Sequence, residues 1–222
     1  MSATRPPSSL APGLAALALL AGCTGTRTLK HPVLEIRTAG GSELGVTTEY
    51  GVVFLGRTAR SGPVHVIAWF GDGPGLEASV IEPIGGGLYT AETDIRLPAV
   101  PMSFTLPRPG QTLIVAGRSG QDAWEETVEV RSDPRVRGML LSVPRRLRDA
   151  EDQVGAPVFL PAKEGKERKL VGLVSGRLRL VAADGSTREY LTAVGPEELW
   201  RLATHAREFP NKRRWVYRED IL

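Results

Sequence analysis

The chain has 222 residues, 41% of them apolar, which is enough to bury a core in one domain or two small ones. Its formal net charge of +3 is dispersed, which excludes the clustered basic face of a dedicated nucleic-acid binder, so no nucleic-acid partner is expected. Gly 25 and Pro 17 interrupt the chain too often for long helices, and a single cysteine excludes any internal disulfide.

The first informative element is Leu10-Ala-Pro-Gly-Leu-Ala-Ala-Leu-Ala-Leu-Leu20, an apolar run behind a polar start containing Arg5. It spans about a dozen residues, short of the roughly 20 that cross a hydrocarbon core of about 30 Å, and its length suits the apolar region of a secretory signal. The run ends in Leu20-Ala21-Gly22-Cys23, which resembles the lipobox of bacterial lipoproteins. The small side chains of Ala21 and Gly22 suit a signal peptidase, and the Cys23 thiol suits acylation. The resemblance implies removal of residues 1–22, a lipid on Cys23 as the new first residue, and a membrane as partner through that lipid. Several acyl chains, at about 0.8 kcal/mol per buried methylene, make such an anchor stable. Thr24 follows the cysteine, where Gram-negative lipoproteins held at the inner membrane commonly carry aspartate, so the outer membrane is the expected location. The plainer alternative is a buried apolar helix with an ordinary cysteine.

Residues 23–32 read as a short polar tether. Strand-like runs follow at Val33–Arg37, Gly51–Leu55, Val64–Phe70, Glu77–Ile81, Leu88–Ile95, Thr112–Ala116, Glu125–Val130 and Gly138–Val143, separated by Gly71-Asp72-Gly73, Gly85-Gly86-Gly87, Arg108-Pro109-Gly110 and Asp133-Pro134. Many short runs at regular spacing predict an all-β barrel or sandwich. One helix is predicted. Pro196 suits its first turn, Glu197 and Glu198 suit the positive end of the dipole, and Leu199, Leu202, Ala203 and Ala206 line one face up to Pro210. Residues 208–222 form a basic and aromatic tail, read as a solvated segment packing Trp215 and Tyr217 in preference to a nucleic-acid or membrane patch.

The most specific stretch is Asp152-Gln-Val-Gly-Ala-Pro-Val-Phe159 followed by Lys169-Leu-Val-Gly-Leu-Val-Ser-Gly176. It resembles the nucleophile region of trypsin-like serine proteases, where Gly-Asp-Ser-Gly-Gly-Pro-Val leads into a strand pair reading Val-Gly-Val-Val-Ser-Gly. Gly155, Ala156, Pro157 and Val158 match the end of that motif as an oxyanion-loop remnant, Gln153 falls on its aspartate and Val154 on the nucleophilic serine. A valine side chain has neither a proton to give nor a lone pair to attack with. The segment Gly45–Val53 is similar to the one ending in the family's Thr-Ala-Ala-His, which puts Tyr50 at the histidine; a phenol with an ordinary pKa near 10 is no base at neutral pH. Thr93-Asp94-Ile95 supplies the acid at Asp94, whereas an alignment starting that strand at Leu88 or Tyr89 leaves no acid. Arg108–Gly117 resembles the entry to the second barrel, and Gly195–Ala206 the terminal helix. The resemblance covers about residues 33–207 and implies a trypsin-like pair of six-stranded β-barrels with a C-terminal α-helix and a degenerate triad at Tyr50, Asp94 and Val154.

No other constellation carries chemistry as well. His31, His65 and His205 have no metal-ligand spacing, so neither metal nor cofactor is expected. Gly85-Gly86-Gly87 lacks a following Gly-Lys-Ser/Thr and reads as a turn. The leading expectation is a catalytically inactive, lipid-anchored module that binds a peptide or protein along an exposed strand edge. Two alternatives stay open: an active hydrolase using His65 with Ser142 or Ser175, and a β-sandwich with a structural role in the envelope.

Overall fold

The computed structural model describes residues 32–57, 63–67, 76–93, 99–119, 122–147, 153–162, 167–182 and 184–208. The anchor sequence Leu20–Cys23, His31, Asp94 and the tail from residue 209 lie outside the described residues.

Two closed barrels account for all the strands among the described residues. The first comprises β1 (Val33–Thr38), β2 (Gly41–Thr48), β3 (Gly51–Phe54), β4 (His65–Ile67), β5 (Leu76–Gly85) and β6 (Leu88–Thr93), joined in the order β1-β2-β3-β6-β5-β4. The second comprises β7 (Thr112–Ser119), β8 (Asp122–Arg131), β9 (Met139–Ser142), β10 (Pro157–Leu160), β11 (Lys169–Val181) and β12 (Thr187–Val194), joined as β10-β11-β12-β9-β8-β7. Counted from its first strand, each barrel has the same order. The pairings of β1 with β4 and of β7 with β10 close the two sheets, which excludes the stacked-sheet sandwich.

The burial of β3 shows how the barrels share a core. All four residues of Gly51-Val-Val-Phe54 are buried, although successive side chains point to opposite faces. Val53 joins Val33, Leu44 and Val46 in a cluster continuous with Leu113, Val158, Leu173 and Leu191 of the second barrel. Val52 and Phe54 share the other face, with Leu34, Ile36, Val66 and Ala91 also buried in the first barrel. One face therefore fills the first barrel and the other glues it to the second. Full burial of each such aliphatic side chain is worth about 1.5–3 kcal/mol, so the seam between the barrels is an apolar contact of the same kind as a core. β2 and β12 escaped the sequence reading. β2 opens on the exposed Gly41-Ser42, and β12 on the exposed Thr187-Arg188-Glu189, so neither begins as an apolar run.

Helix α1 (Pro196–Glu208) begins where the sequence predicted. Gly195 precedes it, and its N–H donates to Glu198 Oε2 at 2.9 Å, the carboxylate half of a capping box on the first turn. Leu199, Leu202 and Ala203 are buried and hold the helix against β5, β11 and β12.

The β8–β9 connection is held by a charged clasp. Asp133 Oδ1 accepts from Arg135 N at 3.0 Å and Nε at 2.9 Å, Oδ2 accepts from Nη2 at 2.8 Å, and Nη1 donates to Val181 O at 2.9 Å. The side-chain hydrogen bond from Arg135, followed by its backbone N–H, lowers the Asp133 carboxyl from 3.8 to about 2. Because the folded value is depressed, the clasp contributes in full above about pH 4 and is lost as pH falls through about 2. An NMR titration is expected to place the Asp133 midpoint near 2, and Arg135→Gln to return it toward 3.8. An ordinary midpoint in the unmodified protein would refute the clasp.

Candidate functional site

Residues 153–156 form a tight turn at the seam of the two barrels. Ala156 N–H donates to Gln153 O at 3.0 Å and Gly155 has φ +83°, the features of a type II β-turn with glycine in its third place. Val154 is thereby the second residue of the turn and is partly buried against the shared core. Backbone bonds pin the turn to both barrels. Leu44 N–H of β2 donates to Val154 O at 2.8 Å, Gly155 N–H donates to Val174 O of β11 at 2.8 Å, and Val174 N–H donates to Ala156 O at 2.8 Å. Gln153 is 3% exposed, and its amide donates to Leu147 O at 2.9 Å, fixing the turn from beneath. Pro157 then opens β10, paired with Leu173. The matched residues Gly155, Ala156 and Pro157 are thus consecutive parts of one rigid corner.

Tyr50 is not at that corner, and its assignment to the histidine position is corrected. It belongs to the two-residue connection between β2 and β3, flanked by the Thr48–Gly51 pair. Its N–H donates to Thr48 Oγ1 at 3.1 Å, and its carbonyl accepts from Thr90 Oγ1 at 2.9 Å. Leu44, which carries the Val154 contact, lies one step past the Gly45–Phe54 pair, at the opposite end of this hairpin. At about 3.3 Å per residue, the five residues from Tyr50 to Leu55 separate the two ends by about 16 Å. The residues at the Val154 end of β3 are Leu55, Gly56 and Arg57. Gly56 has φ +66°, and a Cβ there would sit 1.9 Å from Tyr89 Cδ2, so the strand exit is packed down on an aromatic ring. A guanidinium stays protonated and cannot act as a base. The whole β3–β4 connection, Leu55-Gly-Arg-Thr-Ala-Arg-Ser-Gly-Pro-Val64, contains no histidine.

The strand that leads to Asp94, the residue assigned as the acid, is β6. β6 starts at Leu88, with Tyr89 opposite Phe54, and runs away from Val154 to Thr93. The corner therefore shares its end of the barrel with the turn Gly85-Gly86-Gly87, which bears no carboxylate. The strand follows the alignment that begins at Leu88, and Asp94 itself lies outside the described residues.

The residues of the alternative hydrolase are scattered. His65 is exposed on β4 between Arg37 and Glu77. Ser142 Oγ accepts Glu129 N–H at 2.9 Å on β9, and Ser175 Oγ donates to Thr192 Oγ1 at 3.0 Å across β11 and β12. Among the described residues no hydrogen bond joins either serine to an imidazole or a carboxylate, and no group of three His, Cys, Asp or Glu is placed to hold a metal ion. A polar cleft of about 760 Å³ on the second barrel is lined by Glu129, Arg131, Ser142, Arg188 and Tyr190 and does not include Val154.

What the corner adjoins is a strand edge, which is where sequence reasoning had no purchase. β10 pairs with β11 only from Lys169 to Leu173, and the corner bonds to Val174. From Ser175 onward β11 continues to Val181, paired with β12 on one side and, among the described residues, with no strand on the other. A bulge at Ser175 marks the point where the edge begins.

No protein-family model and no curated protein matches the chain. Solved structures do. Rv3671c of M. tuberculosis H37Rv, a serine-to-alanine mutant in the inactive form, aligns at TM-score 0.51 and 19% identity over 78% of this chain and 87% of that one. The Rv3671c protease in its inactive form aligns at TM-score 0.51 and 19% identity, covering 79% and 89%. The serine protease of a human pathogenic astrovirus aligns at TM-score 0.51 and 14% identity, covering 75% and 91%. At these identities the likeness establishes the fold: a trypsin-like double barrel.

Proposed function

We propose that this protein is a lipid-anchored module of the cell envelope, at the outer membrane, whose trypsin-like domain holds an extended peptide or protein segment without cutting it. Val154 carries the reading. It occupies the second place of a turn that both barrels clamp, the place where the resembling proteases present their serine, and its side chain offers hydrocarbon alone. Among the described residues no group replaces the base either, since Tyr50 stands at the far end of the hairpin and the β3 exit offers Arg57. The β11 edge beyond Val174 supports the binding half of the proposal. Unpaired N–H and C=O groups along a strand accept a further strand by main-chain hydrogen bonds, with side-chain pockets adding preference. Such a complex requires no cofactor.

The test is a fluorophosphonate probe, which phosphonylates an activated serine hydroxyl with loss of fluoride. Incubation with the purified protein is expected to leave no covalent adduct by intact mass, with an active trypsin-like protease labelled in parallel. Adduct formation on Ser142 or Ser175, accompanied by casein cleavage that disappears in His65→Ala, would replace this proposal with the active hydrolase.

A further inference from the structure

We infer that Phe104, Leu106 and Trp200 form a membrane-contacting face, one that lies flat against a bilayer surface containing anionic headgroups. The inference rests on the proposed anchor at Cys23. Phe104 is 38% exposed, Leu106 69% and Trp200 48%, the largest hydrophobic side chains left open on the described surface apart from Val181. Phe104 and Trp200 meet from distant parts of the sequence, and Leu106 follows Phe104 by two residues. Phe104 and Leu106 belong to the connection between the barrels, Trp200 to α1, and the Phe104 and Trp200 rings meet edge to face at 5.2 Å between centroids.

Two observations choose a bilayer as the occupant. The first is where the tether enters. β1 begins at Val33, opposite Val46 of β2; one step further along the same edge of β2, Thr47 O accepts Val100 N–H at 2.9 Å. The β3 edge of β2 is occupied through Thr48, so Val100 takes up the edge that β1 vacates. Two residues of β2 span about 7 Å. Phe104 follows Val100 by four residues, at most about 14 Å of chain, so the aromatic face lies within about 20 Å of the tether root. Cys23 precedes Val33 by ten residues, a reach of at most about 36 Å, so a lipid there keeps this face within reach of the surface it is anchored to.

The second observation is charge. Past α1 the sequence carries Lys212, Arg213, Arg214 and Arg218 with Trp215 and Tyr217 among them, against only Glu219 and Asp220. Lys and Arg that follow α1 in the sequence supply the charge that anionic lipid attracts, beside rings on the described surface that suit headgroup depth.

The experiment uses the chain from Cys23 to Leu222 produced without acylation, which retains every strand and α1, and sediments it with phosphatidylcholine vesicles with or without phosphatidylglycerol. Binding is expected only when phosphatidylglycerol is present and to weaken on the order of tenfold in Leu106→Glu, whose side chain supports no core. Trp200→Phe is expected to reduce the emission component quenched by brominated lipid, with the circular dichroism spectrum unchanged. No binding to either vesicle overturns the inference. So does binding insensitive to Leu106→Glu but lost when Lys212, Arg213 and Arg214 become Gln, which would assign contact to the tail alone. A stable soluble dimer that buries Trp200 also overturns it. Fatty-acid labelling of Cys23 is a separate measurement, so failure of the face and failure of the anchor are told apart.

Discussion

Gly155→Ala is expected to destabilise the domain by about 3 kcal/mol or more, through backbone strain and steric overlap together. Gly155 has φ +83°, and a Cβ added there would lie 1.9 Å from Leu44 O, a main-chain atom that cannot swing aside as a side-chain tip would. The left-handed conformation alone costs an alanine about 1–2 kcal/mol. Relieving the overlap means parting the corner from β2, which threatens the Leu44 N–H to Val154 O bond, worth about 0.5–1.5 kcal/mol, and loosens the seam around it. For a domain of this size each kcal/mol moves the melting temperature by about 2–4 °C, so a fall of about 6–12 °C should appear in calorimetry. Val154→Ala is the companion measurement. It trims a partly buried side chain next door without touching the turn geometry, and about 1 kcal/mol is expected. Equal losses in the two variants would mean that the corner is not the rigid clamp described.

Cys23→Ser is expected to abolish incorporation of an alkyne-tagged fatty acid and to move the protein from the membrane pellet to the soluble fraction. Each buried methylene contributes about 0.8 kcal/mol, so a single long acyl chain supplies on the order of 10 kcal/mol and two or more hold a protein effectively permanently. No other cysteine in the chain can take over the thiol's role. A residue of salt-sensitive association in the variant is expected from the Phe104–Trp200 face and should weaken on the order of tenfold in Leu106→Glu. Absence of label in the unmodified protein would remove the anchor from the proposal and leave the double barrel as it is.

Legibility followed sequence distance. The corner at residues 153–156 and the strand it bonds are close neighbours in the chain, and glycine, proline and the apolar run carry their geometry on their faces. The helix was legible for the same reason: Pro196, Glu198 and the spacing of Leu199, Leu202 and Ala203 are local signals. The first barrel was harder. Thr-Thr-Glu-Tyr-Gly is a hairpin turn, yet in one dimension it resembles the end of a strand, and only the pairing of Thr48 with Gly51 and of Gly45 with Phe54 shows which end of β3 faces the corner. β12 was missed because half of it projects beyond the barrel and is exposed.

From residue types alone came the presence of a lone thiol behind an apolar run and of a hydrocarbon side chain at position 154, because side-chain chemistry belongs to the residue and survives any fold. Tertiary structure alone decided which residues share an end of a barrel, setting Tyr50 away from Val154, leaving β11 beyond Val174 with one edge unpaired by any strand among the described residues, and bringing Phe104 against Trp200. Antiparallel register is set by partner strands far off in the chain, and a shift of a few residues relocates a side chain by more than any hydrogen bond can span.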